Sequence, residues 1–186
     1  FEEEVFFGLC WRWRNIPKPT IAEVQGKVIA GGLMLVWPFD LVVAAENATF
    51  QDPVVGFGVN GVEYFGDPWE FGVRKAKEML FTGRAITAKT AKEIGMVNRV
   101  VPDEQLAAAT LDLANEIAQQ PMMGLKAAKE SVNHMQNSQG LYDSLRAAMT
   151  LQQLSHSHNK VVHGIPVEPS GGEAVRSLIK KPPLDD

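Results

Sequence analysis

The sequence has one cysteine, no block of basic residues and no long uninterrupted apolar run. Because Cys10 has no second cysteine to pair with, an intrachain disulfide is excluded, and we expect a cytoplasmic protein. The net charge is -4 and the basic residues are scattered, so we expect no nucleic-acid partner. The chain begins with FEEEVFFG, which is acidic where a secretory signal peptide is basic, so we expect no such signal.

The most apolar segment, residues 28–45, contains two glycines, a proline and an aspartate. A bilayer span needs about 20 predominantly apolar residues. We therefore expect no membrane span and no membrane partner. The hydrophobic share of 45% and the length of 186 residues instead favour a globular unit with a sizeable core.

Local patterns predict an α/β part followed by a mostly helical part. Residues 20–24, 41–44, 48–55 and 98–102 are predicted strands, and Pro38 is expected to end a helix that starts at Gly31. Gly83 is typical of a helix C-terminus, whereas Thr87 and Asp103 are typical N-caps. Further helices are predicted over 122–135, 141–154 and 173–179, with a polar tail from residue 155. In the first segment Phe6, Leu9, Trp13 and Ile16 recur at helical spacing.

Gly31 and Gly32 stand where a strand and loop lead into an apolar helix. A helix N-terminus presents unpaired N–H groups, and glycine lets a ligand approach them without a Cβ in the way. Enzymes that form an enolate use such donors to hold the oxygen that becomes negative. Gly31 is therefore a candidate oxyanion donor. The alternative is that both glycines only allow close packing of strand and helix.

Two long motifs resemble the crotonase family, the enoyl-CoA hydratases and isomerases. The first is KPTIAEVQGKVIAGGLMLVWPFDLVVAAENATFQDP, residues 18–53. The second is AKEMLFTGRAITAKTAKEIGMVNRVVP, residues 76–102, and the two occur in the family's order and separation. The similarity extends over about residues 17–121 and more loosely over the helices that follow.

This resemblance implies an α/β fold with a crotonase-like spiral ββα core and a C-terminal helical region. It divides the chain into residues 1–83, part of the core with its N-terminal portion missing, and residues 84–186. The second part holds the rest of the core, helices for trimer assembly and the tail. The resemblance also implies a homo-trimer or hexamer and an acyl-CoA substrate, with no cofactor. A second oxyanion donor of the family lies upstream and has no counterpart here.

By the same resemblance, the substrate site includes Gly31 and its surroundings. The residues expected to bind substrate are Val28, Ala30, Met34, Val54 and Phe57. Hydratases of the family carry two glutamates that activate water, and Met34 and Val54 stand at those positions. Neither side chain can transfer a proton.

Glu63, in the glycine-rich loop, stands near the position from which isomerases of the family supply a single carboxylate. Burial against nearby aromatic side chains is expected to raise its pKa toward a useful range. The alternative is a solvated loop residue. Asp52 and Asp67 are the other nearby acids, and Asp67 fits an N-cap before Pro68.

Three histidines in HSHNKVVH match no standard zinc spacing, so we expect a polar tail and no metal site. Three hypotheses for function remain. The first is an enzyme that processes acyl-CoA thioesters, and the second is a catalytically defective member that only binds acyl-CoA. The third is a structural or assembly subunit that binds no CoA.

Overall fold

Two small β-sheets lie at the centre of the computed structural model, which describes residues 1–184. One sheet has the strand order β1-β3-β6 with all strands parallel, and the other has the order β2-β4-β5. In the second sheet β2 and β4 are parallel, and β4 and β5 are antiparallel. The strands are β1 (Ile21–Val24), β2 (Lys27–Ile29), β3 (Leu41–Ala45), β4 (Thr49–Gln51), β5 (Ile86–Thr87) and β6 (Arg99–Val101).

Helices surround these sheets and make up most of the second half of the chain. A π-helical turn, Glu3–Phe7, leads into the first helix, and short 3-10 turns cover Val54–Phe57 and Asp103–Gln105. The α-helices are α1 (Gly8–Arg14), α2 (Gly31–Val36), α3 (Asp67–Phe71), α4 (Val73–Thr82), α5 (Ala88–Glu93), α6 (Leu106–Ala118), α7 (Met122–Ser138), α8 (Leu141–His163) and α9 (Gly171–Leu178).

The two faces of the β1-β3-β6 sheet bury different side chains, because successive residues of a strand point to opposite faces. Val42 and Ala44 belong to the main core with Leu33 of α2, whereas Val43 packs with Leu113 of α6 in a smaller cluster. Helix α6 contributes Leu106, Leu113 and Ile117 to this smaller cluster. Leu33 thereby joins α2 to the main core.

Several local signals act as the sequence predicts. Helix α2 ends at Val36, just before Pro38. Gly83 follows α4 in a left-handed conformation with φ 60°, and its N–H bonds to the Met79 carbonyl at 2.7 Å. The Thr87 side chain accepts a hydrogen bond from the Thr90 N–H and caps α5. These boundaries depend on bonds within one or two turns of chain, so sequence suffices to locate them.

Other local predictions were wrong. The strand predicted over 48–55 does form, but β4 covers only Thr49–Gln51, and the chain then forms the 3-10 turn Val54–Phe57. Asp103 begins a 3-10 turn and caps no helix; its carboxylate accepts a hydrogen bond from the Asn47 side chain instead. The predicted polar tail from residue 155 is helical, since α8 continues to His163 and ends at Gly164 with φ 78°.

The buried face of the first helical segment also differs from the prediction. Phe7, Cys10 and Arg14 are buried, while Ile16 is exposed. The π-helical turn places more residues in a turn than an α-helix does and shifts the phase of the face. Cys10 is a core residue, because it lies in the main cluster. Among residues 1–184, no helix has the length and apolar character needed to cross a bilayer.

We expect Gly83→Ala to destabilise the fold by more than Gly95→Ala. Both glycines have positive φ values, 60° and 89°, so each alanine meets backbone strain of roughly 1 kcal/mol. A Cβ at Gly83 would also lie 2.6 Å from Leu178 Cδ1, whereas one at Gly95 has no neighbour within 4 Å. Urea unfolding of both variants measures the difference, and equal losses would contradict the role of Leu178.

Candidate functional site

The backbone at Ala30 is the one positive-φ position that is not a glycine among residues 1–184. Its φ and ψ are 49° and -107°, a conformation that costs an L-residue free energy and persists only when its surroundings hold it. The Ala30 N–H donates to the Gln51 carbonyl at 2.9 Å, and the Ala30 carbonyl accepts from the Leu33 N–H at 2.8 Å. Both bonds hold the sharp change of direction between β2 and α2.

This change of direction exposes the backbone of Gly31, the first residue of α2. Its N–H has no hydrogen-bond partner within the described part of the chain. Gly32 serves a different purpose, because a Cβ there would lie 3.2 Å from Val28 Cγ1. The sequence reasoning offered ligand approach and close packing as alternatives. In the structure the Gly31 N–H is unpaired within the described residues, whereas Gly32 allows close packing against Val28.

Met34 lies one turn along α2 and is buried beside this N-terminus. A Cβ built at Gly31 would lie 3.8 Å from the Met34 methyl carbon, so the side chain turns back toward Gly31. The Met34 carbonyl accepts a hydrogen bond from Cys10 Sγ at 3.2 Å. Burial raises the pKa of the Cys10 thiol to about 12, so Cys10 stays a neutral thiol rather than a nucleophile.

The other residues expected to bind substrate separate into two groups. Ala30 and Val54 are partly buried hydrophobic residues packed against the same core cluster as Val28 and Met34. Phe57 instead contacts the C-terminal segment: a Cβ at Gly171 would lie 2.6 Å from its ring, and its carbonyl accepts from the Glu168 N–H at 2.9 Å. The structure therefore places Val28, Ala30 and Met34 at the junction of β2 and α2, packs Val54 against the same large core cluster, and holds Phe57 against α9.

Glu63 is half-buried in the loop between β4 and α3, which argues against a fully solvated loop residue. Burial is the first cause that raises the pKa of its carboxyl, and the charge of Glu2 adds to the effect. Gln152 and His156 oppose this increase by favouring the ionised form. The charge of Glu63 also acts on Cys10, which bonds to the Met34 carbonyl.

Two side chains of α8 beside Glu63 were missed by sequence reasoning. Gln152 is buried with no partner for its Oε1 within residues 1–184. His156 Nδ1 lies 2.7 Å from the Pro166 carbonyl, and its Nε2 lies 3.7 Å from Glu2. A signal was available, because residues 141–163 contain no glycine or proline and 152 and 156 share one helical face.

Asp52 and Asp67 form a second acidic group beneath this loop, and both are 0% exposed. Burial raises the pKa of Asp52 to about 6, although its carboxylate accepts bonds from the Val54 and Val62 N–H groups at 3.2 and 3.3 Å. Burial, followed by the charge of Asp52, raises the pKa of Asp67 well above its usual value.

Asp67 was wrongly predicted to be a helix N-cap. The N-cap of α3 is Gly66, and the Asp67 side chain makes no capping bond. Neither of its carboxylate oxygens has a hydrogen-bond partner in the described residues. The backbone at Gly66 packs closely against Trp37, because a Cβ at Gly66 would lie 2.9 Å from the Trp37 ring.

Metal ligation has no evident place in this arrangement. Across residues 1–184, no three histidine, cysteine or acidic side chains lie close enough together to hold an ion. The candidate groups are an exposed backbone donor at Gly31, the apolar side chain of Met34 beside it, and the half-buried carboxyl of Glu63, whose charge acts on Cys10.

The family model described as Enoyl-CoA hydratase/isomerase matches residues 3–167. The chain belongs to this family. The predicted crotonase-like α/β fold is confirmed by the crystal structure of a probable enoyl-CoA hydratase from Mycobacterium smegmatis. That structure superposes with a TM-score of 0.89 at 48% identity, covering 90% of this chain and 69% of the other.

Two further members of the enoyl-CoA hydratase/isomerase family are similar to this chain. A putative enoyl-CoA hydratase of Mycobacterium tuberculosis, EchA13, is 46% identical over 159 residues, which are 84% of this chain and 50% of that protein. The structure of a probable enoyl-CoA hydratase from Mycobacterium thermoresistibile has a TM-score of 0.88 at 50% identity, covering 89% of this chain and 68% of the other. This chain thus spans about half the length of the curated relative.

We expect Asp67→Asn to stabilise the protein at neutral pH, because the buried carboxyl must stay protonated or bury a charge, whereas the amide does neither. While the folded carboxyl stays protonated, the gain is about 1.4 kcal/mol for each pH unit above the unfolded pKa. The pKa of Asp67 is raised in the folded state, so the folded protein holds a proton that the unfolded chain releases. Wild-type stability therefore falls as pH rises above the unfolded pKa of about 3.9. The stability of Asp67→Asn relative to wild type should therefore increase as the pH rises above about 3.9.

Thermal unfolding from pH 4 to pH 8 measures this difference. Asp112→Asn, at an exposed position of α6, is the matched control and should show no such trend. A gap between Asp67→Asn and wild type that stays constant with pH would contradict the assignment.

Proposed function

We propose that this chain acts on acyl-CoA thioesters and that the Gly31 N–H stabilises the oxygen of a thioester enolate. The observation that carries this proposal is the unpartnered N–H at the exposed start of α2. Family membership supports the thioester as the substrate class. An enolate oxygen gains negative charge during the reaction, and a donor fixed in advance stabilises it without reorganisation.

The proton in this proposal is moved by Glu63. Its carboxyl is half-buried and its pKa is raised, so the protonated and ionised forms are closer in free energy near neutral pH than for a solvated glutamate. A single carboxylate can take a proton from one carbon and return it to another, which is isomerisation. Val28, Ala30, Met34, Val54 and Phe57 remain the predicted contacts of the substrate, and no cofactor is required.

A second candidate function is acyl-CoA binding without turnover. It is favoured by the Met34 and Val54 side chains, which have no acidic group where hydratases of the family carry glutamates. A subunit that assembles without binding CoA is the third candidate, and measurable affinity for acyl-CoA would exclude it. Assembly as a homo-trimer or hexamer and a cytoplasmic location stay predictions.

We expect Glu63→Gln to lower isomerase turnover on an enoyl-CoA by about 10²–10⁴-fold while the affinity for acyl-CoA is retained. The amide keeps the shape of the side chain but cannot accept a proton from carbon. Glu46→Gln, at an exposed position after β3, is the matched control and should leave turnover unchanged. Turnover that survives Glu63→Gln would remove Glu63 from the mechanism, and binding without turnover in the wild type would favour the second candidate.

The absence of hydratase acids can be tested by adding them. We expect the double substitution Met34→Glu with Val54→Glu to produce water addition to an enoyl-CoA, because two carboxylates would then flank the Gly31 N–H. Absorbance of the conjugated thioester follows the reaction, and each single substitution is a control. A folded double variant that binds acyl-CoA but adds no water would show that more than the two acids is missing.

A further inference from the structure

A cavity that does not include Gly31 lies between the end of α2, helix α3 and helix α7. It measures about 470 Å³, and its walls are mainly apolar, including Phe39, Trp69, Leu125 and Leu141. Cavities of roughly 300–1,000 Å³ with apolar walls and a few polar groups are typical of small-molecule sites. None of Gly31, Met34, Val54 and Glu63 lines it. The proposal below therefore does not rest on the proposed thioester chemistry.

Arg14 places a buried positive charge in the wall of this cavity. The residue is 5% exposed, and Nη2 of its guanidinium donates to Gln136 Oε1 at 2.7 Å and to the Asn133 carbonyl at 3.4 Å. The guanidinium also lies 5.1 Å from the centre of the Trp11 ring. Its Nη1 has no partner within residues 1–184. The guanidinium is thus fixed from one side and has unused donor capacity.

Three more polar groups of the wall are unpaired in the described residues. The indole Nε1 of Trp37 is buried without an acceptor. The Tyr64 hydroxyl and the Glu70 carboxyl also have no hydrogen-bond partner there, and both residues line the cavity. Lys129 and Asp40, the remaining charged residues of the wall, pair with each other at 2.8 Å. The unpaired groups are therefore three donors, on Arg14, Trp37 and Tyr64, and one carboxyl, that of Glu70. The charges of Asp40, Glu130 and Glu70 act on Arg14 without forming a hydrogen bond to its guanidinium.

We propose that this cavity binds a small carboxylate with an apolar body. The carboxylate would accept hydrogen bonds from the Arg14, Tyr64 and Trp37 donors, and the apolar body would fill the space beside Leu125 and Leu141. A buried guanidinium and a carboxylate form charge-assisted hydrogen bonds, which are about twice as strong as neutral ones. An uncharged alcohol of the same length keeps the apolar contacts and can accept only the weaker, neutral-acceptor hydrogen bonds.

The dependence of binding on pH follows from Glu70. Burial raises the pKa of Glu70 to about 7, and the positive charge of Arg14 partly opposes this increase. Below pH 7 the Glu70 carboxyl is neutral and can donate a hydrogen bond, so the wall carries the positive charge of Arg14. Above pH 7 the ionised Glu70 repels a carboxylate. Tyr64 stays neutral, because burial raises its pKa further, and the Lys129–Asp40 pair contributes no net charge.

Isothermal titration of the 186-residue chain with octanoate, and with 1-octanol as the uncharged probe, tests the proposal. We expect one octanoate to bind at pH 6, at least about tenfold more tightly than octanol. Arg14→Gln should weaken octanoate binding by about tenfold or more and leave octanol binding unchanged. Arg12→Gln, an exposed arginine on the same helix, is the matched control and should change neither. Glu70→Gln should remove the loss of affinity between pH 6 and pH 8.

Three outcomes would overturn the proposal: no octanoate binding, equal affinity for octanoate and octanol, or equal effects of Arg14→Gln and Arg12→Gln. Circular dichroism establishes that each variant is folded. If Arg14→Gln does not fold, Tyr64→Phe and Trp37→Phe replace it, because each removes one donor and keeps the ring. Unchanged octanoate affinity in both of these variants would equally overturn the proposal.

Discussion

The arrangement of the proposed active site depends on the hydrogen bond between the Ala30 N–H and the Gln51 carbonyl. This bond prolongs the pairing of β2 with β4 by one residue and holds Ala30 in a conformation that alanine rarely adopts. The chain can then start α2 immediately, with the Gly31 N–H unpaired at the first position of the helix. Without the bond, Ala30 could relax, and the direction of the first helical N–H would no longer be defined.

Packing beneath α2 supports the same geometry. Val28 fills the space left by the missing Cβ of Gly32, and Leu33 is completely buried in the main core. The Met34 methyl group lies beside Gly31, so the floor of the site is apolar where an acid could stand. The proposed site thus has a fixed backbone donor at Gly31 and no acid at Met34 or Val54, the two positions where the family resemblance predicts glutamates.

Sequence reasoning located the features that depend on a few neighbouring residues. The Thr87 cap, the Gly83 helix end and the Pro38 stop each follow from the chemistry of one side chain or one φ value. The family motifs extended the predictions to the fold and to the position of Gly31 at the start of a helix. What could not be predicted depends on contacts distant in sequence. The sequence around Asp67 predicts a helix cap, whereas the folded chain buries this residue beside Asp52. The surroundings of Glu63 include Gln152, which is far away in the sequence.

Arg14 is another residue whose surroundings depend on contacts distant in sequence. On the sequence it is one of several basic residues in an amphipathic segment, and the helical period placed it outside the apolar face. The π-helical turn rotates that face, and α7, more than a hundred residues away, supplies the partners that hold the guanidinium. Neither effect leaves a local trace in the sequence.

The two sheets also draw strands from both sides of Gly83. Strand β5 pairs with β4 and strand β6 pairs with β3, so each sheet is incomplete until residues 86–101 are in place. Contacts between such distant positions form slowly, because the intervening chain must first be closed into a loop. A nascent chain that has emerged only as far as α4 would expose one edge of each sheet. Residues 1–83 therefore lack one strand of each sheet, and synthesis must pass β5 before the sheet that contains β2 and leads into Gly31 has all its strands.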